Sequence, residues 1–120
     1  MKIICAGLSK TGTTSMSEAL RILGFTVYDW QQHEAIHGDE WLDLYLRSKS
    51  PDFVSMYDGV DVVTDLPAAF WYQELSEAFP EAKVILTIRD SEDVRLKSWV
   101  KSCTTTWIKN LTDVEFWLNC

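Results

Sequence analysis

The sequence predicts an α/β protein built on a parallel sheet, and three observations carry that prediction. Short β-branched runs alternate with segments of helical periodicity along the chain. A turn with two glycines, residues 7 to 14 (GLSKTGTT), joins the first apolar run to the first helical pattern. Two later runs, Val60 to Thr64 and Lys83 to Ile88, end in charged residues where a strand would give way to a loop. Strands that alternate with helices imply parallel pairing through right-handed crossovers.

In order, the chain reads as strand 2–6, the glycine turn, helix 14–23, strand 25–29, a polar connection, helix 39–48, strand 60–64, helix 68–79, strand 83–88 and helix 91–102. This gives a parallel sheet of about four strands flanked by helices. In the first helix Met16, Ala19, Leu20 and Leu23 form the stripe expected to pack on the sheet, and Gly24 stops it at the position after the C-cap. Pro80 closes the helix that begins near Pro67. Trp41, Leu44, Tyr45 and Ser48 share one helical face, as do Trp71, Leu75 and Phe79. Core packing is the simpler reading of these aromatics; with Phe70 and Tyr72 they could instead line a ligand pocket.

The 120 residues, 47% hydrophobic and 24% charged, suit one globular domain spanning 1–120. No repeat, low-complexity tract or linker divides it. Residues 104–120 are rich in aromatics (Trp107, Phe116, Trp117) and lead into no closing element, so the domain is expected to be incomplete at that end. An exposed aromatic tail of this kind could pair two copies into a homodimer. No apolar stretch reaches the roughly 18 residues of a membrane span, and the N-terminal run is too short for a signal-peptide core. The three cysteines, Cys5, Cys103 and Cys120, show no paired spacing, and reduced thiols fit a cytoplasmic protein. A net charge of −7 argues against nucleic-acid and anionic-membrane partners. Asn110-Leu111-Thr112 has the form of a glycosylation sequon, without the secretory signal that would make it meaningful.

The glycine turn is where chemistry is expected. Gly7 and Gly12, four residues apart, let successive N–H groups converge, and the helix N-terminus behind them favours an anion. The spacing is that of the nucleoside-triphosphate loop G-x-x-x-x-G-K-[ST], but Thr13 follows Gly12 and the loop's lysine is Lys10. The loop therefore suits phosphate without being built for a magnesium nucleoside triphosphate.

Lysine placed before Gly-Thr-Thr resembles the loop of P-loop sulfotransferases. Two further segments strengthen the resemblance. Lys83 to Ile88 followed by Arg89-Asp90, with Ser98-Trp99 on the next helix, is similar to the segment with which that family grips a 3′-phosphate. Val60 to Ala69, with Asp65-Leu66-Pro67, looks like the Asp-x-Pro segment of a divergent branch. The resemblance covers residues 2 to 99 and implies a three-layer P-loop fold. It also implies transfer of a sulfuryl group from 3′-phosphoadenosine 5′-phosphosulfate (PAPS), the co-substrate, to a hydroxyl or amine of a small-molecule acceptor, without a metal. Full sulfotransferase domains are longer and close over the adenosine with a glycine- and basic-rich loop, which does not occur here.

By that resemblance Ser9, Lys10, Thr11, Gly12, Thr13 and Thr14 hold the donor's 5′ side, with Lys10 meeting charge on the departing phosphate oxygen. Arg89 and Ser98 hold the 3′-phosphate. Family members commonly place the serine eight residues after the arginine; Ser98 is nine away and Ser91 is nearer. Each assignment has a plainer alternative. Lys10 could be a solvated loop lysine with the threonines capping the helix. Arg89 could pair with Asp90 or Asp93. Arg95 and Lys97 read as a solvated helix face. Asp65, at a strand end, is the candidate general base for the acceptor's proton or an N-cap for the helix near Pro67.

Two rival functions remain. A non-catalytic nucleotide-binding or interaction protein could keep this loop without turnover. A zinc hydrolase could use His33-Glu34-Ala35-Ile36-His37, a complete H-E-x-x-H match. Gly38 and the polar flanks argue against the latter and favour a loop or a short solvated helix.

Overall fold

In a computed structural model the structure describes residues 1–109, with side chains to residue 102. The chain divides into two compact units, Met1–Thr87 and the residues from Ile88 onward. The first unit holds the sheet: β1 (Ile3–Cys5), β2 (Val27–Tyr28), β3 (Val62–Val63) and β4 (Lys83–Ile85), in the order β2-β3-β1-β4. Every pairing is parallel, with Ile3 opposite Val62 on one side and Lys83 on the other. The α/β class expected from the alternation is the class found.

Strand periodicity sorts the core onto two faces. Ile4 and Val63 point to one face and meet Trp41, Leu44, Phe53, Tyr57, Val60, Ala68 and Leu75. Cys5 and Val62 point to the other, against Leu20 with Ile3, Met16, Phe25 and Ile85. Helix α1 (Thr13–Ile22) thus lies on one face. Helices α2 (Trp30–Arg47), α3 (Phe53–Met56) and α4 (Tyr72–Ala78) supply the other, which completes three layers.

Several elements depart from expectation. The strands are shorter than expected, two or three residues each; β1 and β3 pair on both sides, while β2 and β4 are the edges of the sheet and pair on one. Along α1 the sheet-facing stripe is Thr13, Ser17 and Leu20, while Leu23 is 72% exposed. Gly24 does end the helix, with φ 89° and its N–H on the Arg21 carbonyl. The polar connection after β2 is the first half of α2. Asp29 caps it: its carboxylate accepts from the Gln31 N–H at 3.1 Å, and the Gln32 side chain accepts from the Asp29 N–H at 3.1 Å. Gly38 does not break the helix; the deviation falls at His37 (φ −125°, ψ 21°), which kinks it. Helix α3 has no counterpart in the sequence reading. Helix α4 begins at Tyr72, not 68, because residues 67–71 form separate turns, with the Ala69 N–H on the Asp65 carbonyl and the Trp71 N–H on that of Pro67.

The second unit is described through α5 (Glu92–Lys109). Ser91 precedes it and its hydroxyl accepts from the Val94 N–H at 3.3 Å, so Ser91 is a helix cap. Residues 104–109 continue α5, while the side chains of the aromatic tail, the 110–112 sequon, Cys103 and Cys120 lie outside the described residues. Among the described residues no helix is long and apolar enough to cross a membrane.

Candidate functional site

Open parallel sheets bind ligands beyond the carboxyl ends of their strands. Here β1 and its neighbour β3 release residues 7–12 and Asp65 at that end, and the segment after β4 delivers Thr87 to the same loop. Gly7 is buried where the loop begins. A Cβ there would collide with the Thr87 hydroxyl and come 2.8 Å from Thr11 Oγ1, so the close approach requires glycine. The Thr11 hydroxyl donates to the Leu8 carbonyl at 2.6 Å and lies 2.8 Å from Thr87 Oγ1, which ties the loop to the sheet's edge.

Lys10 and Gly12 both take positive φ, 69° and 95°. Glycine does so freely, whereas lysine in this region is held at a cost of roughly 1 kcal/mol. That turn folds the loop back before α1. Gly12 is the N-cap and no side chain caps the helix, so the capping alternative for the threonines does not hold, and among the described residues no side chain accepts from the first-turn N–H groups.

Asp65 is the unforeseen centre of the loop. It is 8% exposed and sits at φ 62°, a region aspartate tolerates better than most residues. Its Oδ1 accepts from the Ser9 hydroxyl at 2.7 Å and the Leu66 N–H at 2.8 Å, and its Oδ2 accepts from the Thr13 hydroxyl at 3.1 Å. It is not the N-cap of α4, which begins seven residues on, after Trp71. Sequence reasoning placed Asp65 at a strand end but gave no sign of partners 52 and 56 positions away. Thr87 was missed altogether; its one signal was a hydroxyl at the end of an apolar run. Among the threonines of the loop, the Thr14 hydroxyl makes no hydrogen bond to another described residue.

Arg89 and Ser98 belong to the second unit. Arg89 is exposed and forms no ion pair with Asp90 or Asp93; the local pair is Arg95 with Glu92 at 2.8 Å. Ser98 is half-buried on α5, and Ser91 is engaged as the cap. Arg21, a nearby cation in the sequence, is taken up by Asp29 at 2.9 Å.

The H-E-x-x-H segment turns inward instead of lying solvated. His33 is fully buried with Nδ1 3.0 Å from the Tyr57 hydroxyl, His37 is 9% exposed, and Glu34 faces solvent. Burial pushes the His33 pKa down to about 4, offset in part by the adjacent Thr64 main chain and Asp29. Burial also raises the Tyr57 phenol well above its ordinary range. The rings of Tyr28, His33, His37, Trp41 and Tyr57 pack edge to face or tilted, with centroids 5.4–6.4 Å apart. Among the described residues no three His, Cys, Asp or Glu side chains converge as metal ligands. The motif match is a core histidine pair.

A parallel α/β sheet, a glycine loop with an uncapped helix behind it, and a lysine two residues ahead of Gly12 are the features on which the resemblance to sulfotransferases rests. The chain belongs to that family: residues 2–120 match the model described as the sulfotransferase domain. It is also 36% identical over 119 residues to "Ava biosynthesis cluster protein M" of Aspergillus versicolor, an alignment covering 90% of this chain and 44% of the relative. The chain thus spans less than half the length of the curated relative it matches.

Proposed function

We propose that this domain takes part in transfer of a sulfuryl group from PAPS to a hydroxyl or amine of a small-molecule acceptor. The observation that carries the reading is the Lys10–Gly12 turn ahead of an uncapped α1, in a chain of the sulfotransferase-domain family. The loop N–H groups and the hydroxyl of Thr14 would hold the donor's 5′-phosphate. Arg89, with Ser98, would take the 3′-phosphate through charge-assisted bonds. In the reaction the acceptor oxygen or nitrogen bonds to sulfur as the bond from sulfur to the bridging phosphate oxygen breaks. Lys10 would stabilise the charge left on that oxygen, and Asp65 would receive the acceptor's proton. Positioning and electrostatics dominate the analogous phosphoryl transfers. No metal is required by this scheme, and a cytoplasmic location remains the expectation from the thiols.

Calorimetry with 3′-phosphoadenosine 5′-phosphate, the desulfated donor, and with Mg-ATP tests the donor. The loop lacks a lysine after Gly12, so the desulfated donor should bind more tightly, and equal or tighter Mg-ATP binding would refute the assignment. Lys10→Ala should lower turnover far more than donor affinity, since a stabilising group of this type contributes on the order of 3 kcal/mol in the transition state. The engagement of both Asp65 oxygens favours a second reading, a nucleotide-binding domain without turnover of its own. Donor binding with no sulfuryl transfer to any alcohol or amine would select it.

A further inference from the structure

A hydroxyl has one proton to give. In the phosphate loop those of Ser9 and Thr13 are directed at Asp65, at 2.7 and 3.1 Å, and the Thr11 proton has the Leu8 carbonyl at 2.6 Å. A phosphate oxygen arriving at the loop would meet the lone pairs of Ser9 and Thr13, not their protons. Asp65 is nearly closed from water, the residue being 8% exposed, and no cation pairs with its carboxylate among the described residues. Its charge is therefore compensated by those two hydroxyls and the Leu66 N–H. Hydrogen bonds to a charged group are stronger than those between neutral groups, so the arrangement opposes any anion that would take the same protons.

We propose that Asp65 and the incoming phosphate compete for the hydroxyl protons of Ser9 and Thr13, so that Asp65 restrains anion binding and is itself released by it. The inference rests on the reading of residues 7–14 as a phosphate loop, but not on the identity of the donor. Its consequence for the proposed reaction is an order of events. With the loop empty, the carboxylate is occupied by donors of its own chain. Once a phosphate draws the Ser9 and Thr13 protons away, lone pairs on Oδ1 and Oδ2 become free to accept the proton of a second substrate. The base would then be made available by the donor.

The test is a double-mutant cycle on Asp65 and Thr13, read by calorimetric titration with inorganic pyrophosphate and with the desulfated donor. Asparagine tolerates positive φ and keeps an oxygen for the Ser9 hydroxyl and Leu66 N–H, while its amide presents N–H groups to Thr13 and frees that proton. Asp65→Asn should therefore bind pyrophosphate about tenfold more tightly than the unaltered chain, the size expected for one hydrogen bond to a charged group. Thr13→Val alone should change affinity by less than about twofold, because the bond its proton gives to the anion is offset by the one it gives up to Asp65. In the Asp65→Asn background, Thr13→Val should abolish most of the gain. Unchanged or weaker binding by Asp65→Asn would overturn the proposal. So would a gain that survives Thr13→Val intact, which would be simple relief of charge repulsion. A tenfold loss on Thr13→Val with Asp65 in place would overturn it too, and that arm does not depend on Asp65→Asn folding. Failure of the donor reading is separate: Mg-ATP would then match or exceed the desulfated donor in every variant.

Discussion

The Tyr57 hydroxyl lies 3.0 Å from Nδ1 of His33, and neither side chain is more than 1% exposed. The phenol, held protonated by burial, is the natural donor to a neutral imidazole. His33 belongs to α2 and Tyr57 follows α3, so the bond joins two helices that cover one face of the sheet.

This pairing gives the fold a dependence on acid. The His33 pKa falls from 6.5 to about 4 on folding, chiefly through burial. Below pH 6.5 the unfolded chain binds a proton that the folded chain refuses, so stability is full above that pH and is lost as pH falls toward 4. The slope approaches about 1.4 kcal/mol per pH unit. Urea unfolding of the unaltered chain at pH 7 and 5.5 should show this loss, and His33→Gln should show a smaller difference between the two. An equal difference in both chains would remove His33 as its source.

Asp29 both caps α2 and holds Arg21 at 2.9 Å. Asp29→Ala should destabilise by about 1–2 kcal/mol, mostly through the lost cap. Asp29→Asn keeps the cap and loses an ion pair that is partly exposed, worth about 0–1 kcal/mol. Denaturant midpoints should rank Asn well above Ala; a reversed order would make the ion pair the dominant contribution.

Lys10 combines a catalytic assignment with a conformation that opposes it. At φ 69° glycine is unstrained, whereas alanine and lysine are not. Lys10→Gly should be more stable than Lys10→Ala by about 1 kcal/mol in thermal unfolding, while both lose sulfuryl transfer by about 10²–10³-fold. Equal stability of the two variants would show that the turn relaxes without strain.

What the sequence disclosed and what it withheld follow from the range of the interactions. The β/α alternation, the Gly7–Gly12 loop and the Gly24 stop are local patterns, and each appears where it was read. The early start of α2 was also written locally, in Asp29 and Gln32, but Gly38 and the polar flanks outweighed it. A single glycine costs a helix about 1 kcal/mol, less than the burial of His33, Trp41 and Leu44 returns. The exposed Leu23 shows the limit of periodicity: Met16 and Leu20 of the expected stripe do pack on the sheet, but Ala19 and Leu23 face away, and the buried face is completed by Thr13 and Ser17, whose hydroxyls an apolar pattern does not register. The bonds from Ser9 and Thr13 to Asp65 depend on β1 lying beside β3, a fact of topology that no window of sequence contains.

The missing side chain at Gly7 is filled by the hydroxyl of Thr87, across 80 positions of chain. Such a pair leaves a trace in evolution. Among relatives, a residue larger than glycine at the first position should occur only where the partner has shed its hydroxyl and the strand end has drawn back, so the two columns of an alignment should change together. Thr87 would then read as conserved without touching any ligand, and its conservation would record the space a backbone needs.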